Sequence, residues 1–171
     1  SKLKLSNEKK WRYDLIWDKV LPSGFLNANR MPLRNHENIN IFYNKLPTYN
    51  PQKVIWKPNH SKWVKKENQN NNYWKFDFVD NSKELWDLKH PKSIITFEKP
   101  HPSKTLHPTQ KPVKLMEWLI KTYTQEWEIV LDFTMWSWST LVAVKNTNRK
   151  GIGIELDENY FKIAQERIWS E

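Results

Sequence analysis

A chain of 171 residues is long enough for one domain with a buried core, and its net charge of +9 and pI near 9.6 point to an anionic partner, nucleic acid before an acidic membrane surface. No stretch approaches the ~20 apolar residues of a transmembrane helix. The opening SKLKLSNEKK lacks the apolar centre of a signal peptide, and zero cysteines exclude disulfides and thiolate metal sites, so a cytoplasmic setting with no membrane is expected.

In chain order, Arg12 to Trp17 and Asn38 to Tyr43 read as strands. Between them SGFLNANRMPLRNHE reads as a loop carrying Arg30, Arg34 and His36. Residues 45–110 are rich in Pro, Asn and Lys and weakly periodic, with Ser93 to Phe97 as their clearest strand. Pro112 opens a helical pattern, VKLMEWLIKTY, with Val113, Met116, Leu119 and Ile120 on one face. Ile129, Val130 and Leu131 read as a short buried strand. A turn follows, then a helix through Leu141, Val142 and Val144. GIGIEL at 151–156 reads as a second buried strand. Asp157 then caps a last helix whose apolar face is Tyr160, Phe161, Ala164 and Ile168. Strand, helix, strand, helix predicts a βαβ unit with parallel neighbouring strands and a right-handed crossover.

Three constellations carry possible chemistry. Asp132 closes the first strand of the βαβ unit and Glu155 the second. Acidic residues at strand ends accept hydrogen bonds from ribose hydroxyls, and they also serve as plain helix caps. HPTQKP at 107–112 sets Thr109 and Lys111 beside a helix N-terminus. That placement suits an anionic group, and it equally suits an ordinary helix-entry turn. KVIWKPNHSKWVKK at 53–66 holds five lysines and two tryptophans with no acidic residue. Lysines neutralise phosphates and indoles stack on bases, while a solvated basic loop anchored by its tryptophans has the same composition.

HPTQKP, a helix, VLDFTMWSWST and GIGIELDENYFKIAQERI, in that order, resemble the C-terminal half of the S-adenosylmethionine-dependent DNA amino-methyltransferases, which modify adenine N6 or cytosine N4. The resemblance is to the permuted class, whose cofactor loop follows the target-recognition segment. YDLIWDKVLPSGFLNANRMPLRNHENINIFYNKLPTYNPQ is similar to the middle of those enzymes, and 53–92 is the weakest stretch. The resemblance implies an α/β fold: a partial Rossmann-like sheet, mostly parallel, with helices on its faces and an irregular recognition insert. Residues 1–44 would supply N-terminal strands and a basic loop. Residues 45–105 would form the target-recognition region and 106–171 the cofactor-binding βαβ half. It also implies S-adenosylmethionine as cofactor, held by Thr109, Lys111, Pro112, Asp132, Phe133, Ser137, Ser139, Thr140 and Glu155. Double-stranded DNA would be met by Arg30, Arg34, His36, Lys53, Lys57, Lys62, Trp63, Lys65 and Lys66, in a positive groove that accepts a flipped base.

Two departures bear on activity. The family's DPPY-like tetrapeptide, which holds the target amine and stacks on the flipped base, does not occur in this chain, so no catalytic residue is assigned. Three expectations follow: an enzyme fragment completed by a partner chain or a homodimer, a silent DNA-binding or partner-docking remnant, or an assembly protein. Unpaired strands and open apolar surface would favour association.

The second departure is in the cofactor loop. The family reads close to D-P-F-x-G-S-G-T there, and Trp136 and Trp138 stand where it has glycine. Trp127 also stands where glycine is common, and Phe133 differs from the most frequent residue. The chain has eleven tryptophans and three glycines. A loop glycine at positive φ costs a residue with a Cβ about 1–2 kcal/mol. An indole there would also enter the space of the cofactor's methionine and ribose, so the pocket is expected to be self-filled and the chain impaired; the opposing reading has the rings turned outward and the pocket intact. One base change turns GGA or GGG into UGA or UGG, and UGA is read as tryptophan in some reduced bacterial codes. Drift of a gene remnant, engineering or a sequence error would leave the same letters.

Overall fold

The computed structural model of the protein describes residues 2–55, 88–101, 110–135 and 138–170, with the side chains at 164 and 167–170 outside that description. The chain divides into two compact units, 1–52 with 92–171, and 53–91. In the second, β3 (Val54–Ile55) pairs antiparallel with β4 (Leu88–Lys89). The remaining elements belong to the first unit.

After a short helix α1 (Lys2–Ser6), β1 (Trp11–Ser23) pairs antiparallel with β2 (Arg34–Phe42) and parallel with β5 (Ile94–Thr96), in the order β2-β1-β5. A short 3-10 turn, Phe25–Asn27, lies between β1 and β2. The period-two alternation of a strand sends Leu15, Trp17 and Lys19 of β1 inward. Trp17, 2% exposed, anchors a cluster with Leu15, Ile95 and Leu115, and its indole N–H donates to the Phe97 carbonyl at 2.8 Å. Both strands are longer than the sequence suggests. Arg34 and His36, expected in the loop, lie in β2 opposite Ser23 and Asp18. Their side chains are polar and exposed, so they carry no strand periodicity. Backbone pairing with β1 decides the conformation.

Helix α2 (Val113–Tyr123) starts at Pro112, whose φ of −62° and missing N–H suit a helix entry. Its buried residues are Leu115, Ile120 and Thr122. Leu115 was not on the expected face. The helix lies between two clusters: Leu115 packs with Trp17 of β1, while Ile120 packs with Ala143 and Val144. A helix buried on two sides escapes a one-stripe reading.

β6 (Ile129–Asp132), α3 (Ser139–Asn146) and β7 (Lys150–Gly153) form the expected βαβ unit. The strands pair in parallel from Ile129↔Lys150 to Asp132↔Gly153. Helix α3 buries Leu141, Val142, Ala143 and Val144. It lies so close to β7 that a Cβ at Gly151 would stand 2.6 Å from Leu141 Cδ2, and one at Gly153 2.6 Å from Leu141 Cδ1. The strands are not buried as expected. Ile129 is 64% exposed and Leu131 55%, and Ile152 and Ile154 are exposed as well. Side chains alternate across a strand, and α3 covers only one face of this two-stranded ladder.

Helix α4 (Glu158–Ser170) is capped by Asp157, whose Oδ1 accepts the N–H groups of Asn159 at 2.9 Å and Tyr160 at 3.1 Å. Phe161 packs from this helix against Trp138, while the side chains of Ala164 and Ile168 lie outside the described residues. The architecture is α/β, a partial Rossmann-like arrangement with parallel and antiparallel ladders. Among the described residues no helix is long and apolar enough to cross a membrane.

Candidate functional site

Ligands in parallel α/β folds bind beyond the carboxyl ends of the strands. At that end of β6 and β7 the backbone is tightly pinned. The Ile154 N–H donates to the Asp132 carbonyl at 2.9 Å and the Met135 N–H to the Ile154 carbonyl at 3.2 Å. The Asp132 side chain accepts the Thr134 N–H at 3.1 Å. Glu155 does not close the second strand, which ends at Gly153. The pinning to Asp132 and Met135 bends the chain away first. Glu155 lies two residues on, and its Oε1 accepts the N–H groups of Leu156 and Asp157, both at 2.9 Å. Both carboxylates therefore stand at the same end of the ladder, each bound to neighbouring backbone.

Helix α3 is the next element after β6. Trp138 is its N-cap residue, in the left-handed conformation with φ 61°, and provides no side-chain cap. Its N–H donates to the Met135 carbonyl at 2.8 Å. Its ring is 8% exposed, clustered with Met135 and Leu141, and meets Phe161 edge-on at 6.4 Å between centroids. Two buried polar atoms here have no hydrogen-bond partner among the described residues, Trp138 Nε1 and Ser139 Oγ. Unpaired buried donors and acceptors each cost about 1–3 kcal/mol, so natural structures usually supply a partner. Thr140 is half-buried in the first turn of α3, and Phe133 is exposed. Ser137 and Trp136 lie outside the described residues.

Of the HPTQKP segment, Thr109 also lies outside the described residues. Pro112 is buried at the head of α2, and Val113 beside it packs against the cluster of Ile120, Ala143 and Val144, which fixes this helix entry against the βαβ unit. Lys111 is committed within the fold. Its Nζ lies 2.9 Å from Glu37 Oε2 and 5.5 Å from the centre of the Trp17 ring. Lys19, buried, approaches the other oxygen of Glu37 at 3.5 Å. Burial opposes the charge on Glu37, but the two ammonium groups outweigh it and hold its carboxyl below the usual range. Glu37 gave no signal in the sequence, because both its partners come from distant segments.

The basic candidates are distributed. Arg30 is exposed in the turn after the 3-10 segment. Arg34 and His36 are exposed on β2, and Arg34 lines a cleft of about 700 Å³ with Lys4, Lys19, Glu37 and Asn38. Lys53 is exposed beside β3 in the second unit. Lys57, Lys62, Trp63, Lys65 and Lys66 lie outside the described residues.

A family model described as DNA methylase, of the N6/N4 type, matches residues 2–166. The Type II methyltransferase M2.DpnII of Streptococcus pneumoniae is 32% identical over 127 residues, covering 72% of this chain and 44% of the relative. M.BglII of Bacillus subtilis is 28% identical over 168 residues, 94% of this chain and 42% of the relative. A crystal structure of the M1.HpyAVI–SAM complex superposes with a TM-score of 0.61 at 26% identity, covering 98% of this chain and 71% of that one. The cytosine-N4-specific PvuII DNA methyltransferase, at 16% identity and a TM-score of 0.62, shares the fold. The chain spans less than half the length of these curated relatives.

Proposed function

We propose, from the premise that the chain belongs to the N6/N4 DNA methylase family, that it is the cofactor-side portion of an S-adenosylmethionine-dependent DNA amino-methyltransferase. Its target would be adenine N6 or cytosine N4 in double-stranded DNA, in the order of the permuted class and in a cytoplasmic setting. With tryptophan at 138 it is impaired. The observation that carries this is the α3 N-terminus. A parallel ladder delivers Asp132 and Glu155 to the same end, and α3, the next element after β6, opens at Trp138, whose indole is buried on Met135 and Leu141.

The residue types suit the cofactor only in part. Two carboxylates can accept hydrogen bonds from a ribose, and the buried Ser139 hydroxyl has no partner among the described residues. Trp138 does not fit, because its Cβ stands at a left-handed position beside a helix N-terminus, where close approach of a ligand to the backbone calls for glycine. No catalytic step is assigned to this chain alone, since the tetrapeptide that would hold the target amine is not in its sequence.

The apolar face of Ile129, Leu131, Ile152 and Ile154 supports a role completed by another chain or a second copy. The net charge of +9 and the exposed Arg30, Arg34 and Lys53 support contact with DNA phosphates.

Calorimetric titration of S-adenosylmethionine into the chain, beside a Trp136→Gly/Trp138→Gly variant, tests the reading. No heat in the parent and micromolar binding in the variant is the expected result. Binding in the parent would remove the impairment and leave a split enzyme. Silence from both would count against a cofactor site in this chain and move the test to salt-dependent DNA binding.

A further inference from the structure

Tryptophan occupies two kinds of position in this chain. Trp17 lies in β1 with extended backbone, buried, its indole N–H bonded to Phe97. Trp118 lies in α2 and packs on the same cluster. In both, the ring has work that an indole does well and the backbone conformation is that of its element.

Trp127 and Trp138 are different. They adopt φ values of 68° and 61°, and among the described residues only Val20 and Asn148 share that region without being glycine. A Cβ makes the left-handed region costly, and only Gly, with Asn and Asp behind it, visits it routinely. Trp127 forms the turn before β6, where its N–H bonds the Asn148 carbonyl, and its side chain is 68% exposed. The ring gains almost nothing there. Trp138 heads α3 with its indole nitrogen buried and without a hydrogen-bond partner among the described residues. Glycine satisfies both backbones and removes both anomalies.

Composition points the same way. Ten prolines show an ordinary need for turns, yet there are only three glycines beside eleven tryptophans. A deficit of one residue type matched by a surplus of one other is the mark of a codon, not of selection at single sites. GGA and UGA differ in one base, and UGA is a codon whose assignment changes between genetic codes.

We infer that positions 127 and 138 are encoded by UGA, and that the cell owning this gene decodes UGA as glycine. The protein made there carries glycine at both turns. Trp136, outside the described residues, stands two positions before Trp138 in the sequence and falls under the same inference. The φ values and the composition carry this without any functional premise. Its consequence, that the native loop is open at the α3 N-terminus, rests on the cofactor reading above.

The test is the codon and the natural peptide. The expected result is UGA at 127, 136 and 138, UGG at Trp17 and Trp118, and glycine at the three UGA positions in mass spectra of peptides from the native cell. UGG at 127 or 138, UGA at Trp17, or tryptophan in those native peptides would overturn it. A second readout uses the purified chain. Trp127→Gly, at an exposed side chain, is expected to melt above the parent and Trp17→Gly below it, and a Trp127→Gly variant melting below the parent would contradict the backbone argument. Glycine codons confirmed but no S-adenosylmethionine bound by the glycine form would leave the decoding intact and sink the cofactor reading alone.

Discussion

Trp17 in the β2–β1–β5 sheet and Trp138 at the head of α3 are both buried indoles, yet they report opposite relations between sequence and fold. Around Trp17 every level agrees. A β-prone aromatic sits on an inward strand position, its ring fills the cluster with Leu15, Ile95 and Leu115, and its polar atom is bonded. Around Trp138 the levels disagree. The ring is buried, but the backbone is left-handed and the indole nitrogen has no partner among the described residues. Burial alone therefore does not identify a residue the fold was built for. Agreement of burial, backbone and hydrogen bonding does.

The sharpest way to break the comparison is Trp17→Ala. Removing a fully buried indole leaves a large cavity and an unpaired Phe97 carbonyl, so a loss of about 3–5 kcal/mol is expected in urea unfolding. Next is Gly153→Ala, which tests the packing of the βαβ unit. The new Cβ would collide with Met135 Sδ and stand 2.6 Å from Leu141, so a loss of about 1–3 kcal/mol is expected by the same measurement. Trp127→Gly should act in the other direction. Relief of the left-handed strain exceeds the small packing loss at an exposed side chain, and a gain of about 1 kcal/mol is expected, read as a higher unfolding midpoint.

The smallest effect belongs to Glu37→Gln, at about 0.5–1 kcal/mol, because the pair with Lys111 is partly open to solvent. The Glu37 carboxyl is held low in the folded protein, so its contribution is complete above the ordinary carboxylate range and is lost as pH falls through the folded value. Parent and variant should differ near neutral pH and converge in acid. A difference independent of pH would mean that Gln is felt through shape and not through charge.

Much of the βαβ unit was legible in the sequence. Short apolar runs, a helical pattern between them and Asp157 before the last helix gave the order of elements and the cap. Local signals suffice there because each lies within a few residues of what it controls. The extension of β2 back to Arg34 was not legible, since polar exposed residues become strand only by pairing with β1. Nor was the commitment of Lys111, whose partner Glu37 is 74 positions away. The exposed face of β6 and β7 was hidden for the converse reason. An apolar run predicts burial, but whether anything covers it depends on neighbours the run does not encode.

By itself the sequence determined the α/β class and the order of the elements of the βαβ unit, because periodicity and caps are written locally, and the family resemblance marked the turn positions where this chain has tryptophan in place of glycine. Only the tertiary structure decided what those exchanges do. It set Trp127 and Trp138 at positive φ and turned the Trp138 ring inward onto Met135 and Phe161. Backbone handedness at a turn is imposed by the two elements that the turn must join; glycine or asparagine can signal it in the sequence, and tryptophan cannot.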